Sequence, residues 1–399
     1  MRTAVLEASQ EASQEHASQE HVASAACAKM SFSSGQGELR AFGQRAFISV
    51  PAKGGQDRAG LFQRAVDAAL EEGRRAGQSN PVVVGAIPFD LAEPSCLYVP
   101  ESYEWRARPP LQSVPADAGM PTLLDQKSIP SEAEFKKAVE HAIVNFRMCD
   151  VRKAVLSVIR ELRFDGAVDV DRLLQSLRAQ NRDGYQFRVP LPDGAQLVGV
   201  SPELLLRKTG DTVVSNPLAG SARRQLDPAA DRTVADALLI SPKDLYEHKL
   251  VIDDVERVLK PYCTELDVPA GPSLMSTAAL WHLSTRIEGR LTDPGMTALQ
   301  LACLLHPTPA VCGYPTERAH KLIRFVEPFE RGLFTGMVGW CDGEGNGEWV
   351  VTIRCGIVQD DKVRLFAGAG IVEASQPEAE WAETQTKLRT MLNACGVAA

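Results

Sequence analysis

The sequence predicts an α+β fold: extensive antiparallel sheets flanked by helices, built as a single large domain. Three observations carry this. Apolar runs of strand length recur, several joined by short turns such as Lys208-Thr-Gly-Asp211 and the glycine-rich Asp342–Gly347 loop. Separate segments repeat their apolar residues at helical rather than alternating period. No composition break after residue 131 divides the remainder of the chain. Strands joined by turns and helices set apart from them define the α+β class.

Residues 7–21 repeat Ala-Ser-Gln-Glu almost literally and offer no apolar face, so residues 1–28 read as a disordered tail, dispensable for chemistry. From Met30 the pattern becomes globular, and residues 29–399 are expected to form one folded domain. Gln63–Arg75 is helical, with Phe62, Ala65, Val66, Ala69 and Leu70 on one side. Val82–Ile87 is a buried strand ended by Pro88. Residues 105–131, rich in proline and polar residues, read as a long connection. Glu132–Arg147 is a helix, Val151–Ile159 a strand, and Asp169–Gln180 a helix with Asp169 as N-cap. Leu197–Leu206 and Thr212–Ser215 are sheet strands. Asp231–Leu239, Lys243–Leu259 and the apolar Thr297–Leu305 are helices, the last stopping before Pro307. Met337–Cys341 and Trp349–Val358 pair across the glycine-rich loop. Lys362–Ala367 is a strand, Gly368-Ala-Gly370 a turn, and Glu378–Leu392 the last helix.

Composition narrows the function. Of 399 residues, 44% are apolar and 24% charged, which suits a soluble protein with a large core. A net charge of −8 argues against nucleic-acid or anionic-membrane partners, which need a basic field. No apolar run approaches the roughly 20 residues of a bilayer span. The N-terminus lacks the apolar core of a secretory signal, so a cytoplasmic location is expected. Nine cysteines without CxxC spacing, among them Cys303 and Cys355 in apolar surroundings, read as reduced, buried residues rather than nucleophiles or ligands.

Several polar groups sit where an apolar face is expected. Strand alternation puts Val151, Lys153, Val155 and Ser157 on one face. Lys153 is then either a guard on an edge strand or a desolvated base. Glu203 interrupts the run Val198–Leu206. It is either a structural partner at the Pro202 bend or a carboxyl with raised pKa, as a general acid needs. Glu247 falls on or beside the buried face of its helix, as a metal ligand or an ion-pair member. Glu380, Glu383 and Lys387 share a helical face; Glu383 and Lys387 could be an ordinary i,i+4 pair. If Glu247 meets Glu383, two carboxylates with substrate oxygens and water suit Mg²⁺. Arg354 offers a fork for a carboxylate, and the glycine segments Gly368–Gly370 and Pro217–Ser221 let backbone N–H groups approach a ligand. His282, between Trp281 and Leu283, reads more readily as a satisfied core histidine, and His306 as fixing a turn.

Together these segments resemble the isochorismate synthases of the chorismate-binding enzyme family. The strings that carry the resemblance are Val84–Asp90, Ser201–Arg207, Pro217–Arg224, Leu280–Leu283, His306–Ala310, Gly336–Arg354 and the C-terminal segment from Gly368 to Lys387. The likeness runs from about residue 31 to 396 and is strongest to siderophore-pathway, enterobactin-type enzymes. It implies the α/β chorismate-binding fold for residues 29–399. It also implies that Lys153 activates water toward C2 of chorismate and Glu203 protonates the departing C4 hydroxyl from the other side of the ring. Glu247 and Glu383, with Glu380 close, would hold Mg²⁺ against the ring carboxylate. Arg354, Gly368, Ala369, Gly370 and Lys387 would bind carboxylates, with Gly220 and Ser221 near the ring. Two places depart from the family pattern: Val158 where arginine is usual, and Tyr246-Glu-His-Lys249 where the helix usually reads His-Glu-His-Glu. By alternation Val158 points away from Lys153, and Lys249 lies about 200° around the helix from Glu247.

The resemblance also sorts relatives. Ala219 stands where aminating members carry a lysine, and Ser221 where anthranilate synthases carry threonine, so no glutamine amidotransferase partner is expected, and the chain is expected to be a monomer. Salicylate synthases share acid, base and metal and add elimination of pyruvate. That choice rests on pocket shape near Ala310, Val311, Phe334 and His282; the small pair Ala310-Val311 resembles the isochorismate-releasing type. The expected product is isochorismate, feeding 2,3-dihydroxybenzoate siderophore synthesis. Salicylate formation and a catalytically silent binding protein are the alternatives.

Overall fold

Alternation along the strands sorts their residues into three cores. In Val82–Ile87, residues Val82, Val84 and Ala86 face one way and Val83 and Ile87 the other. The computed structural model describes residues 29–108 and 120–397. The repeat tail and residues 109–119 of the proline-rich segment lie outside the described residues.

Every strand pair described is antiparallel, in a ten-stranded, a nine-stranded and a three-stranded sheet. The two large sheets face each other across a core of Phe32, Leu39, Phe187, Val84, Val338 and Val350. Helices Leu61–Arg75, Pro242–Leu259 and Ala298–Leu305 cover the outer face of the nine-stranded sheet. Helices Glu132–Met148, Val170–Gln180, Thr316–Val326 and Pro377–Ala394 cover the outer face of the ten-stranded one. The helix starts follow capping chemistry. Asp169 accepts from Arg172 N at 3.1 Å, and Ser131 with Glu134 and Thr297 with Gln300 form capping boxes.

Two expected strands are each divided between sheets. Leu197–Leu206 is Gln196–Ser201 in the ten-stranded sheet and Leu204–Thr209 in the nine-stranded one, with Pro202-Glu203 at the crossing. Trp349–Val358 likewise breaks into Gly347–Val351 and Cys355–Gln359, with Arg354 at its crossing. The two crossings run side by side, joined by Val351 N to Glu203 O at 3.2 Å and Val200 N to Arg354 O at 3.1 Å. Arg354 is therefore not on a strand; its φ is 51°, strained for a residue with a Cβ.

Gly368-Ala369-Gly370 is not a turn either. The strand Lys362–Ile371 runs straight through it, opposite Ser157, Leu156 and Val155. Strands also occupy the expected long connection: Ser102–Arg106 and Leu123–Ile129, the second laid along Lys153–Phe164. Its largely exposed sequence hid it, since little of it is buried on either face. The three-stranded sheet (Leu218–Arg223, Leu280–Ser284, Ser273–Ser276) is tied to helix Pro228–Leu239 through Asp231. That carboxylate accepts from Arg224 Nε at 2.8 Å and Trp281 Nε1 at 3.0 Å.

Candidate active site

The two crossings, strand Lys362–Ile371, helices Pro242–Leu259 and Pro377–Ala394 and the three-stranded sheet converge on a cavity of about 630 Å³, counting its open mouth. Its walls include Glu203, Gly220, Ser221, Glu247, His282, Ala310, Val311, Phe334, Arg354, Gly368, Gly370, Glu383 and Lys387. The structure thus gathers most of the candidate residues, drawn from nine chain segments, into one chamber. Three stand behind its wall. Lys153 is fully buried on a strand with neighbours on both sides, which removes the edge-guard reading. Its Nζ lies 2.9 Å from Glu247 Oε1, close enough for an ion pair but off the axis of a hydrogen bond. Ala369 turns its side chain into the helix-side core, leaving the chamber face to Gly368 and Gly370. Glu380 is buried against Lys243, whose Nζ lies 2.6 Å from Oε1.

Gly370 makes room: a Cβ there would lie 2.2 Å from Glu247 Oε1 and 3.0 Å from Lys153 Cε. Lys387 Nζ reaches Glu383 Oε1 at 2.6 Å and donates to Gly368 O at 2.8 Å. The i,i+4 pair therefore exists, and both members line the chamber. His282 is buried with Nε2 unpartnered, beside Ser221 across the sheet, so it is not the satisfied core histidine its sequence context suggests. Val158 is fully buried on the helix side, and Lys249 is exposed and paired with Asp253. Neither departure alters the chamber.

Burial governs the ionisation. It pushes the Glu203 carboxyl up to about 7, against the pull of a backbone hydrogen bond from Leu218 and of Lys153, Arg354 and Lys387. Burial lowers Arg354 to about 10, opposed by Glu383 and Glu203. It holds His282 well below the ordinary imidazole value, so the ring is neutral at pH 7. For Glu383 burial acts upward, but Lys387 and Lys243 outweigh it and the carboxyl stays below its usual range.

At one end Glu247, Glu380, Glu383 and Asp244 crowd together. Burial and the neighbouring carboxylates raise both Glu380 and Asp244. Hard oxygen donors that repel one another suit a small divalent cation. Among the described residues no three ligating side chains converge at metal-binding spacing. Each glutamate engages its own lysine instead: Glu247 with Lys153, Glu380 with Lys243, Glu383 with Lys387. Glu380 is thus drawn toward Lys243, which sequence reasoning missed because a lysine in a first helical turn reads as solvated.

Residues 105–396 match the family model described as "Chorismate binding enzyme". The chain belongs to the chorismate-binding enzymes. Within that family its relatives include isochorismate synthases. It is 48% identical to isochorismate synthase EntC of Escherichia coli K12 over 353 residues, 87% of this chain and 89% of that protein. It is 44% identical to isochorismate synthase DhbC of Bacillus subtilis 168 over 354 residues, 87% of this chain and 89% of that one. The fold superposes with a TM-score of 0.87 and 41% identity on the crystal structure of a putative 2,3-dihydroxybenzoate-specific isochorismate synthase, DhbC from Bacillus anthracis. That match covers 93% of this chain and 97% of the other.

Proposed function

We propose that the protein is a Mg²⁺-dependent isochorismate synthase that interconverts chorismate and isochorismate by acid–base relocation of a hydroxyl group. The observation that carries the reading is the pairing of Glu203, a carboxyl held half-protonated near neutral pH, with Arg354 and Lys387 in one buried chamber. Chorismate is a dianion, and two cations in a site largely closed to water can orient it.

Arg354 and Lys387, with backbone groups of Gly368–Gly370, hold the carboxylates; Gly220, Ser221 and His282 border the ring. Lys153 adjoins the chamber past Gly370, whose missing side chain leaves the lysine Cε uncovered, and in its neutral form it takes the proton of a water molecule attacking C2. Glu203 donates its proton to the C4 hydroxyl, which leaves as water while the ring double bonds shift. One water enters and one leaves, so no redox cofactor is needed. Glu247 and Glu383, with Glu380 beside them, would hold Mg²⁺, which when bound neutralises and orients the ring carboxylate.

The catalytic unit is residues 29–399, and the repeat tail is dispensable. It works as a cytoplasmic monomer without an amidotransferase and supplies 2,3-dihydroxybenzoate siderophore synthesis, a destination supported by the similar structure described as 2,3-dihydroxybenzoate-specific. The test is to incubate the pure protein with chorismate and Mg²⁺ and separate the products chromatographically. A chorismate–isochorismate equilibrium without pyruvate is expected. Stoichiometric salicylate and pyruvate would replace this reading with a salicylate synthase, and no conversion with a binding protein.

A further inference from the structure

Arg331 does not line the chamber, yet its whole guanidinium is committed to the chamber's walls. Nε donates to Glu327 Oε2 at 2.8 Å, and Nη2 to Glu327 Oε1 at 2.6 Å and Val155 O at 2.7 Å. Nη1 donates to Val311 O at 2.9 Å and Thr335 Oγ1 at 3.2 Å. Glu327 Oε1 also accepts from Ser157 N at 2.8 Å. The guanidinium lies 4.4 Å over the Phe89 ring, and both charged side chains are almost wholly buried.

Val155, Val311 and Thr335 all line the chamber. Arg331 O also accepts from Phe334 N at 3.0 Å, fixing a turn whose phenyl ring stacks on Phe366. One buried pair therefore joins three segments: the strand bearing Lys153, the loop bearing Ala310 and Val311, and the turn bearing Phe334 and Thr335. A buried ion pair adds little stability over an apolar pair of the same shape. Its gain is fixed position.

We propose that Arg331 and Glu327 are positioning residues that hold the wall of Ala310, Val311 and Phe334, and thereby stop the reaction at isochorismate. The inference rests on the isochorismate synthase reading. In the onward reaction the ether C–O bond of isochorismate breaks and a ring hydrogen moves to the enolpyruvyl methylene carbon. Isochorismate then divides into salicylate and pyruvate, with nothing added or removed. The enolpyruvyl arm must fold over the ring for that transfer. A wall fixed from behind keeps the arm in one orientation; a slack wall admits the folded one.

The test uses the full chain with chorismate and Mg²⁺. Arg331→Met combined with Glu327→Leu removes both charges and all the wall hydrogen bonds without leaving a buried charge unpaired. Isochorismate is measured chromatographically, pyruvate by a coupled dehydrogenase, and folding by thermal unfolding. The pyruvate-to-isochorismate ratio and KM should each rise about tenfold or more, since a misplacement of about 1 Å can cost about 100-fold. A folded double variant with the wild-type ratio and KM overturns the inference alone. A wild-type enzyme that itself releases pyruvate with each turnover overturns the isochorismate reading and the inference with it. Should the double variant unfold, Arg331→Lys decides: it keeps the charge but cannot reach Glu327, Val155 and Val311 together, so the same shift is expected and an unchanged ratio refutes it.

Discussion

Gly370→Ala adds a single methyl group at the point where the chamber is tightest. Its Cβ would lie 2.2 Å from Glu247 Oε1 and 2.8 Å from the carboxyl carbon, where ordinary contact begins at 3.4 Å. The carboxylate must retreat by more than about 1 Å, which breaks its 2.9 Å pairing with Lys153. Displacement on that scale costs about 100-fold in rate, or about 2.7 kcal/mol of transition-state stabilisation. Overpacking adds about 1–3 kcal/mol of lost stability. The assay is kcat and KM for chorismate across a Mg²⁺ titration, with thermal unfolding alongside. Lower kcat/KM and a higher Mg²⁺ requirement are expected together. Val363→Ala is the control, because that side chain, on the same strand, faces the helix-side core away from the chamber. It should lose about 0.5–3 kcal/mol of stability and keep its kinetics. A folded Gly370→Ala enzyme with wild-type kcat/KM and Mg²⁺ response would refute the placement of Glu247 and Lys153 in the reaction.

Glu203→Gln separates stability from activity. The folded Glu203 carboxyl sits at about 7 against an ordinary 4.5, so the folded state binds more protons between those values, and stability falls as pH rises through that window. Above pH 7 the penalty is on the order of 3 kcal/mol, so the variant should melt higher than wild type at pH 8 and not at pH 4. Its turnover should fall at least about 100-fold, as for loss of a general acid. In the wild type, the rate should fall as pH rises through about 7 and Glu203 loses its proton; a flat profile across that range would remove Glu203 as the acid. Lys153→Ala should abolish turnover while circular dichroism stays native, and full activity would remove Lys153 as the base. Exhaustive chelation should stop the reaction and added Mg²⁺ restore it; activity that survives chelation contradicts the metal assignment.

Most helices but fewer than half of the strands were legible, where burial imprints period on sequence; helix Thr316–Val326 and strands such as Lys29–Ser34 and Tyr185–Pro190 were not. Val82–Ile87 and Asp169-capped Val170–Gln180 fall where pattern and capping place them. The sheet crossings were not legible. Both sheets demand apolar residues, so apolar residues resume on either side of Ser201-Pro202-Glu203 and the run reads as one strand, while the chain changes sheets at Pro202-Glu203. Yet the misfit itself, a glutamate inside an apolar run, was the sign of the site. Gly368–Gly370 misled because glycine commonly marks a turn, whereas here its lack of a side chain admits Glu247. Arg331, Glu327 and Lys243 were missed because charged residues beside glycine or proline, or in a first helical turn, look solvated. Only the folded chain shows Arg331 and Glu327 buried behind the chamber walls and Lys243 partly buried against Glu380.

The most direct test of the central claim is to run the reaction in water enriched in ¹⁸O and weigh the isochorismate formed. If Lys153 delivers water to C2 while Glu203 expels the C4 hydroxyl, the product gains one solvent oxygen, located at C2. Unlabelled isochorismate would mean that the hydroxyl migrates within the molecule, and the acid–base account of this chamber would be wrong.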